Sequence, residues 1–190
     1  MDILAHALWA NYGVRKANRV IENKNQTQAK QIPKINVWAT TLFGFLPDMF
    51  AFTIPFITLF FSLITGSTTL AEIGSRNGPP ASGLSLAANL YQYSHSLVIW
   101  AVVFVIVWVI YKRPRFELFG WALHILIDIP SHVLSFFPTP FLFPISNYHF
   151  PYGVSWGNKW YMVINYTLLL FFFIYFTLTQ KKKINNLNKN

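Results

Sequence analysis

Four apolar runs in this chain, roughly residues 37–65, 90–111, 116–137 and 160–179, are each long enough to cross a hydrocarbon core of about 30 Å as a helix. Composition agrees, since 54% of the 190 residues are hydrophobic and only 11% are charged, far too apolar for a soluble domain of this length. The expected fold is all-α: one membrane domain over 1–190, a polytopic bundle of about four transmembrane helices plus an N-terminal, partly inserted helix over 1–20. That first helix begins within the membrane or its interface and emerges at Arg15, Lys16 and Arg19. With Asp2 and no basic stretch before its apolar part, it does not read as a cleaved signal peptide.

The net charge of +9 raises the question of nucleic acid, but its placement excludes that class. Of the 15 Lys and Arg residues, 13 fall in three polar segments, Arg15 to Lys34, Lys112 to Arg115 and Lys181 to Lys189. Alternate crossings put these three on one side and leave Arg76 and Lys159 on the other, which is the positive-inside pattern of a multi-pass membrane protein. Segment 21–36 and tail 180–190, with the C-terminus, are then cytoplasmic. The Lys-rich tail serves as a stop signal and can attract anionic lipid. The far side carries two loops, 66–89 with its GSRNGPPASG stretch and 138–159 with four prolines and many aromatics. Trp38, Trp156 and Trp160 fit interfacial anchors, and the second loop also fits a lid. Cysteine is absent, so thiolate metal ligands and disulfides are excluded.

Against this apolar background, ionisable side chains within the runs are expensive and mark function. Asp2 and His6 are four residues apart and share a helix face, as do His124, Asp128 and His132. Pro130 lies between the last two and Pro47 precedes Asp48, and each removes a backbone donor. With a rise of about 1.5 Å per residue from the basic end of each run, His6, Asp48, His95, His124, Asp128 and His132 all lie about 12–24 Å deep. Carboxylates at that depth require a positive partner. A divalent cation supplies it, and imidazole with carboxylate but no sulfur suits zinc, and also manganese, iron or nickel. Six candidate ligands exceed the needs of one catalytic zinc, so two ions bridged by an aspartate are expected, with metal-activated water and hydrolysis as the natural chemistry. Ser94, Ser96 and Ser131 flank the histidines as candidate supports or as ordinary helix hydrogen-bonding residues. His149 and Arg76 belong to the far-side loops, where a solvated role and a contact with substrate are both open.

The ordered set DILAHALWA, LPD, YSHS, LHILIDIPSH and TPFLFPIS resembles the YdjM-like bacterial inner-membrane proteins, a family described as metal-dependent hydrolases. The likeness covers nearly the whole chain and implies that His6, Asp48, His95, His124, Asp128 and His132 serve a metal site. It also places Thr139, Pro140 and Pro144 in the family's loop. The order His6, Asp48, His95, His124 with Asp128, then His132 is similar as well to the all-helical zinc-dependent phospholipase C group. That likeness implies a phosphoester or lipid substrate. The later His-x-x-x-Glu of that group is missing, which puts a third metal in doubt, and Asp2 stands where the group uses its processed amino terminus.

The expectation is therefore a membrane-embedded hydrolase of a lipid or lipid-linked ester. Asp48, His95, His124 and Asp128 are the inner ligands, and His6, Asp2 and His132 complete a second ion or act as acid and base. The alternative is a transporter or proton relay built from the same residues, against which the lack of an inverted repeat counts. A third reading has the cluster merely holding helices together.

Overall fold

A computed structural model describes residues 1–27, 31–67 and 82–187. Arg76 and most of the 66–89 loop lie outside the described residues. Six α-helices are described, α1 (Ile3–Asn25), α2 (Val37–Ile64), α3 (Ser82–Ser94), α4 (Leu97–Tyr111), α5 (Phe119–Ser131) and α6 (Lys159–Leu187), with a 3-10 turn at Phe116–Leu118. The all-helical expectation holds among the described residues.

Two helices, α2 and the Lys159–Thr179 part of α6, are long and apolar enough to cross a membrane. A third crossing is supplied if α3 and α4 act together, for they meet at a 55° bend. Helix α4 buries none of its residues and exposes Val102, Trp108, Ile110 and Tyr111 around its circumference, a surface that lipid tolerates better than water. The chain is a membrane protein.

The expected boundaries shift where local chemistry intervenes. The helix expected to run through 90–111 breaks at Ser94–Ser96. Ser96 accepts bonds from the Val98 and Ile99 amides, both at 3.1 Å, and so starts a new helix by capping it. Its hydroxyl donates to the Phe143 carbonyl, and the Leu97 amide reaches the Phe141 carbonyl at 3.0 Å, which fastens the loop after α5 onto the break. The helix expected over 116–137 ends at Ser131. At 13 residues α5 is roughly 20 Å long, short of the hydrocarbon thickness. Pro130 withholds an N–H from its last turn, and His132 is already extended, while the Pro130 and Ser131 carbonyls accept from the Val154 and Trp156 amides at 2.8 and 2.9 Å. Helix α1 in turn outruns its expected end and reaches Asn25. The polar stretch of chain returning to α2 is pinned by Asn18, whose side-chain amide exchanges two 2.8 Å bonds with the Ile35 backbone.

Within lipid, apolar surface alone does not drive helices together, so close packing relies on small residues. A Cβ added at Gly44 would lie 2.5 Å from the Ala10 Cβ and 3.1 Å from the His6 carbonyl, and one at Gly120 would overlap the Thr40 carbonyl. These glycines let α1, α2 and α5 approach until their backbones nearly touch. On the other side of α1, Met1, Ala5 and Tyr12 pack against Leu169 and Phe176 of α6, with Tyr12 stacked on Phe176.

Candidate metal centre

Three elements and one helix break deliver the buried polar side chains. Asp48 follows Pro47 inside α2, His6 lies in α1, His95 occupies the α3–α4 break, and His124 and Asp128 stand one turn apart on α5. Asp48, His95, His124 and Asp128 are all buried, and each offers one candidate ligand atom within 4.8 Å of the others. His95 Nε2 and His124 Nε2 are 2.9 Å apart. Asp48 Oδ1 lies 3.4 and 3.7 Å from these two nitrogens, and Asp128 Oδ2 lies 3.4 and 3.3 Å from them. Around a zinc ion with bonds of about 2.0–2.1 Å, ligand atoms at tetrahedral corners are about 3.3 Å apart, so the spacing fits a single small cation.

Hydrogen bonding on the outer side of each ring supports that fit. His124 Nδ1 lies 2.7 Å from the Gly44 carbonyl, which only accepts, so Nδ1 carries a proton and Nε2 is the nitrogen turned toward the group. His95 Nδ1 is held by the Ser94 hydroxyl at 2.8 Å. Ser94 is itself braced, since Trp121 Nε1 donates to its carbonyl at 2.6 Å. Tyr91 stacks on the His95 ring at 3.6 Å, and its hydroxyl lies 3.4 Å from that of Thr139. A proton on His95 Nε2 would satisfy the imidazole pair without a metal, but it leaves two buried carboxylates around it. Asp128 Oδ2 has no hydrogen-bond partner among the described residues. A divalent cation answers the orphaned oxygen and the negative charge that the Met1 amino group on Asp128 leaves unmet.

The second oxygen of Asp128 faces another set. Oδ1 lies 2.9 Å from His6 Nε2 and 3.4 Å from His132 Nε2, and it touches the Met1 amino group and, at 3.3 Å, the Ser131 hydroxyl. His6 stacks on His124 with centroids 3.6 Å apart and rings 24° from parallel. The short His6–Asp128 contact is not aligned as a hydrogen bond: both ring nitrogens of His6, like Nδ1 of His132, lack a bonded partner among the described residues. We read the separation as approach of two ligand-type atoms, because the hydrogen-bond direction is absent. His132, which Pro130 left free to turn either way, turns inward.

All six residues His6, Asp48, His95, His124, Asp128 and His132 thus gather around Asp128. Asp2 stands apart: it caps α1 by accepting from the Ala5 amide at 3.0 Å and accepts the Tyr166 hydroxyl at 2.9 Å. His149 lies half-buried in the loop after α5. Ser94 and Ser131 act as supports, whereas Ser96 is a helix cap. The Gly44 carbonyl and the Tyr91 stack had no distinguishing signal in the sequence, since a backbone oxygen is invisible there and a tyrosine before YSHS looks like any membrane aromatic. Comparison with known proteins found no matching family model, no matching curated protein and no matching solved structure.

Proposed function

We propose that this protein is a membrane-embedded, metal-dependent hydrolase of the YdjM-like kind, acting on a lipid or lipid-linked ester, most naturally a phosphoester. The observation carrying the reading is that Asp128 turns its two carboxylate oxygens toward two different imidazole sets. With the Met1 amino group, which lies on Oδ1 and 3.1 Å from His132 Nε2, displaced from the second set, Asp128 would serve both sets at once. Asp48, His95, His124 and Asp128 would hold one ion, and Asp128, His6 and His132 would hold the other, with zinc best matched to the donor set. When bound, such ions acidify a water molecule and stabilise negative charge on a phosphoryl or acyl group.

The chain's own residues perform the rest. Gly44 requires the proton on Nδ1 of His124, and Ser94 holds the tilt of His95, so that neither ring must turn during reaction. With one ion only, His132, at the open end of α5 and 8% exposed, would instead be the group placed to exchange a proton with solvent or with a leaving group. Asp2 supports this arrangement by anchoring the start of α1, which carries His6. A cavity of about 460 Å³ between α1, α5 and α6 borders the centre at Pro130 and Met1. Its wall is apolar apart from Asn165 and Tyr161. The Asn165 amide nitrogen is buried and has no partner among the described residues, because only its oxygen is used, by Trp9 Nε1 at 2.8 Å. An acyl chain of a lipid fits the apolar wall of this cavity.

In this arrangement α2, the bent α3–α4 pair and α6 cross the membrane. Helix α5 completes a fourth passage with the loop that follows it, returning all three basic segments to the cytoplasmic face of a bacterial inner membrane. A proton or ion relay is the second reading, favoured by the unbroken succession His132, Asp128, His124 and Asp48. The test uses metal-loaded protein in nanodiscs with headgroup-labelled and acyl-labelled membrane lipids. Release of a labelled product that disappears in Asp128→Asn supports hydrolysis. Failure to turn over any lipid class while metal stays bound rejects it and leaves the relay.

A further inference from the structure

We propose that the basic end of the bundle carries a second site, distinct from the metal centre, that binds the phosphate of an anionic membrane lipid. On α1, Arg15, Asn18, Arg19 and Glu22 follow the i, i+3, i+4, i+7 spacing that places side chains on one helix face. This face lines a cleft of about 650 Å³, closed opposite by Lys34 and Trp38 at the start of α2 and by Phe176 and Thr179 near the end of α6. Three cations and one carboxylate therefore share the cleft, for a balance of +2.

The cations are positioned rather than loose. Arg19 bonds to the Thr179 hydroxyl, and its guanidinium lies over the Phe176 ring at 4.5 Å and near Tyr175 at 5.3 Å. Arg15 Nε donates to Asn11 Oδ1 at 2.7 Å, which aims the rest of the fork along the cleft. Lys34 pairs with Glu22 at 3.7 Å on the rim. Two oriented guanidiniums and an ammonium suit a phosphate group, which accepts several charge-assisted hydrogen bonds at once.

The walls decide between a free phosphate and a lipid. Val37, Trp38 and Phe176 give the cleft an apolar floor that an inorganic anion would leave wet, whereas a phospholipid fills both parts. The position agrees: Val37 begins one membrane-crossing helix and Thr179 ends the apolar part of another, with Trp38 82% exposed between them at headgroup level. Arg15 stands nine residues beyond His6 on α1, about 14 Å along the axis, so the site does not draw on the metal ligands. Nor does it depend on the hydrolase reading.

The test is native mass spectrometry of the full chain released from nanodiscs of phosphatidylglycerol and phosphatidylcholine mixed equally, with the double variant Arg15→Gln, Lys34→Gln and the control Lys159→Gln at the opposite end. Arg19 is kept because it ties α1 to α6. One phosphatidylglycerol is expected to be retained per chain, at least five-fold less in the double variant, unchanged in the control, and not displaced by millimolar inorganic phosphate. Equal retention of phosphatidylcholine, equal retention by the double variant, or displacement by inorganic phosphate overturns the proposal. An unchanged helical circular dichroism spectrum and melting temperature in the double variant separate loss of the site from loss of the fold.

Discussion

Ser94 touches no metal ligand atom, yet it holds the one histidine of the cluster that sits in a helix break. Its hydroxyl on His95 Nδ1 at 2.8 Å fixes which nitrogen faces Asp48 and Asp128. Removal of such an outer partner typically weakens metal binding about 10–100-fold. Ser94→Ala is therefore expected to lose metal at a correspondingly lower chelator concentration in a competition titration, with its helical circular dichroism unchanged. Retention equal to the unaltered protein would show that Ser94 is only a helix residue. Gly44 supplies the matching oxygen for His124, and its missing side chain makes that possible. Gly44→Ala forces a Cβ to 2.5 Å from the Ala10 Cβ, and overpacking of this kind costs about 1–3 kcal/mol. Thermal unfolding in detergent should show that loss. Gly157→Ala, whose added Cβ meets only Ser155 Oγ at 3.7 Å, should leave stability unchanged.

At the scale of the element, the break between α3 and α4 controls whether His95 reaches the centre. Ser96 caps α4 and also donates to Phe143, so Ser96→Ala removes both restraints, at about 1–2 kcal/mol for a lost cap and bond. Faster limited proteolysis within 138–158 is the expected result, because the loop loses its tie to the break. An unchanged cleavage rate would show that Leu97 and the packing of the loop suffice. The same elements show where the sequence was legible. Asp48, His124, Asp128 and His132 announced themselves, since ionisable groups set in apolar runs are too costly to keep in lipid unless they meet one another or a cation. The break was not legible, because 90–111 is apolar enough to read as one helix and two serines around a histidine are ordinary in helices. The early end of α5 was half-legible: Pro130 gave notice of a disturbance, but the Val154 and Trp156 amides that satisfy its last carbonyls come from a loop with no periodicity to read. Asp2 has a further use that spacing does not show. Sharing a face with His6 is what helix spacing gives, but a residue at the N-cap turns its carboxylate back onto its own helix.

For the whole molecule, the question is how many times the chain crosses, since α5 alone is too short. The chain has no cysteine, so single cysteines can be introduced without background. Lys24→Cys and Arg113→Cys should label from the same side of intact vesicles, and Tyr152→Cys from the opposite side. Labelling of all three from one side would mean that α5 returns without crossing.

The fold is arranged around a set of buried imidazoles and carboxylates that separate helices bring to Asp128, and the direct measurement is metal content. Elemental analysis of protein purified without added metal, alongside Asp128→Ala and His132→Ala, distinguishes a bridged pair from a hydrogen-bonded cluster. Two equivalents of a divalent cation, zinc foremost, are expected in the unaltered protein, one in His132→Ala and none in Asp128→Ala. A folded protein that holds no divalent cation even after incubation with zinc would contradict a metal centre at these residues.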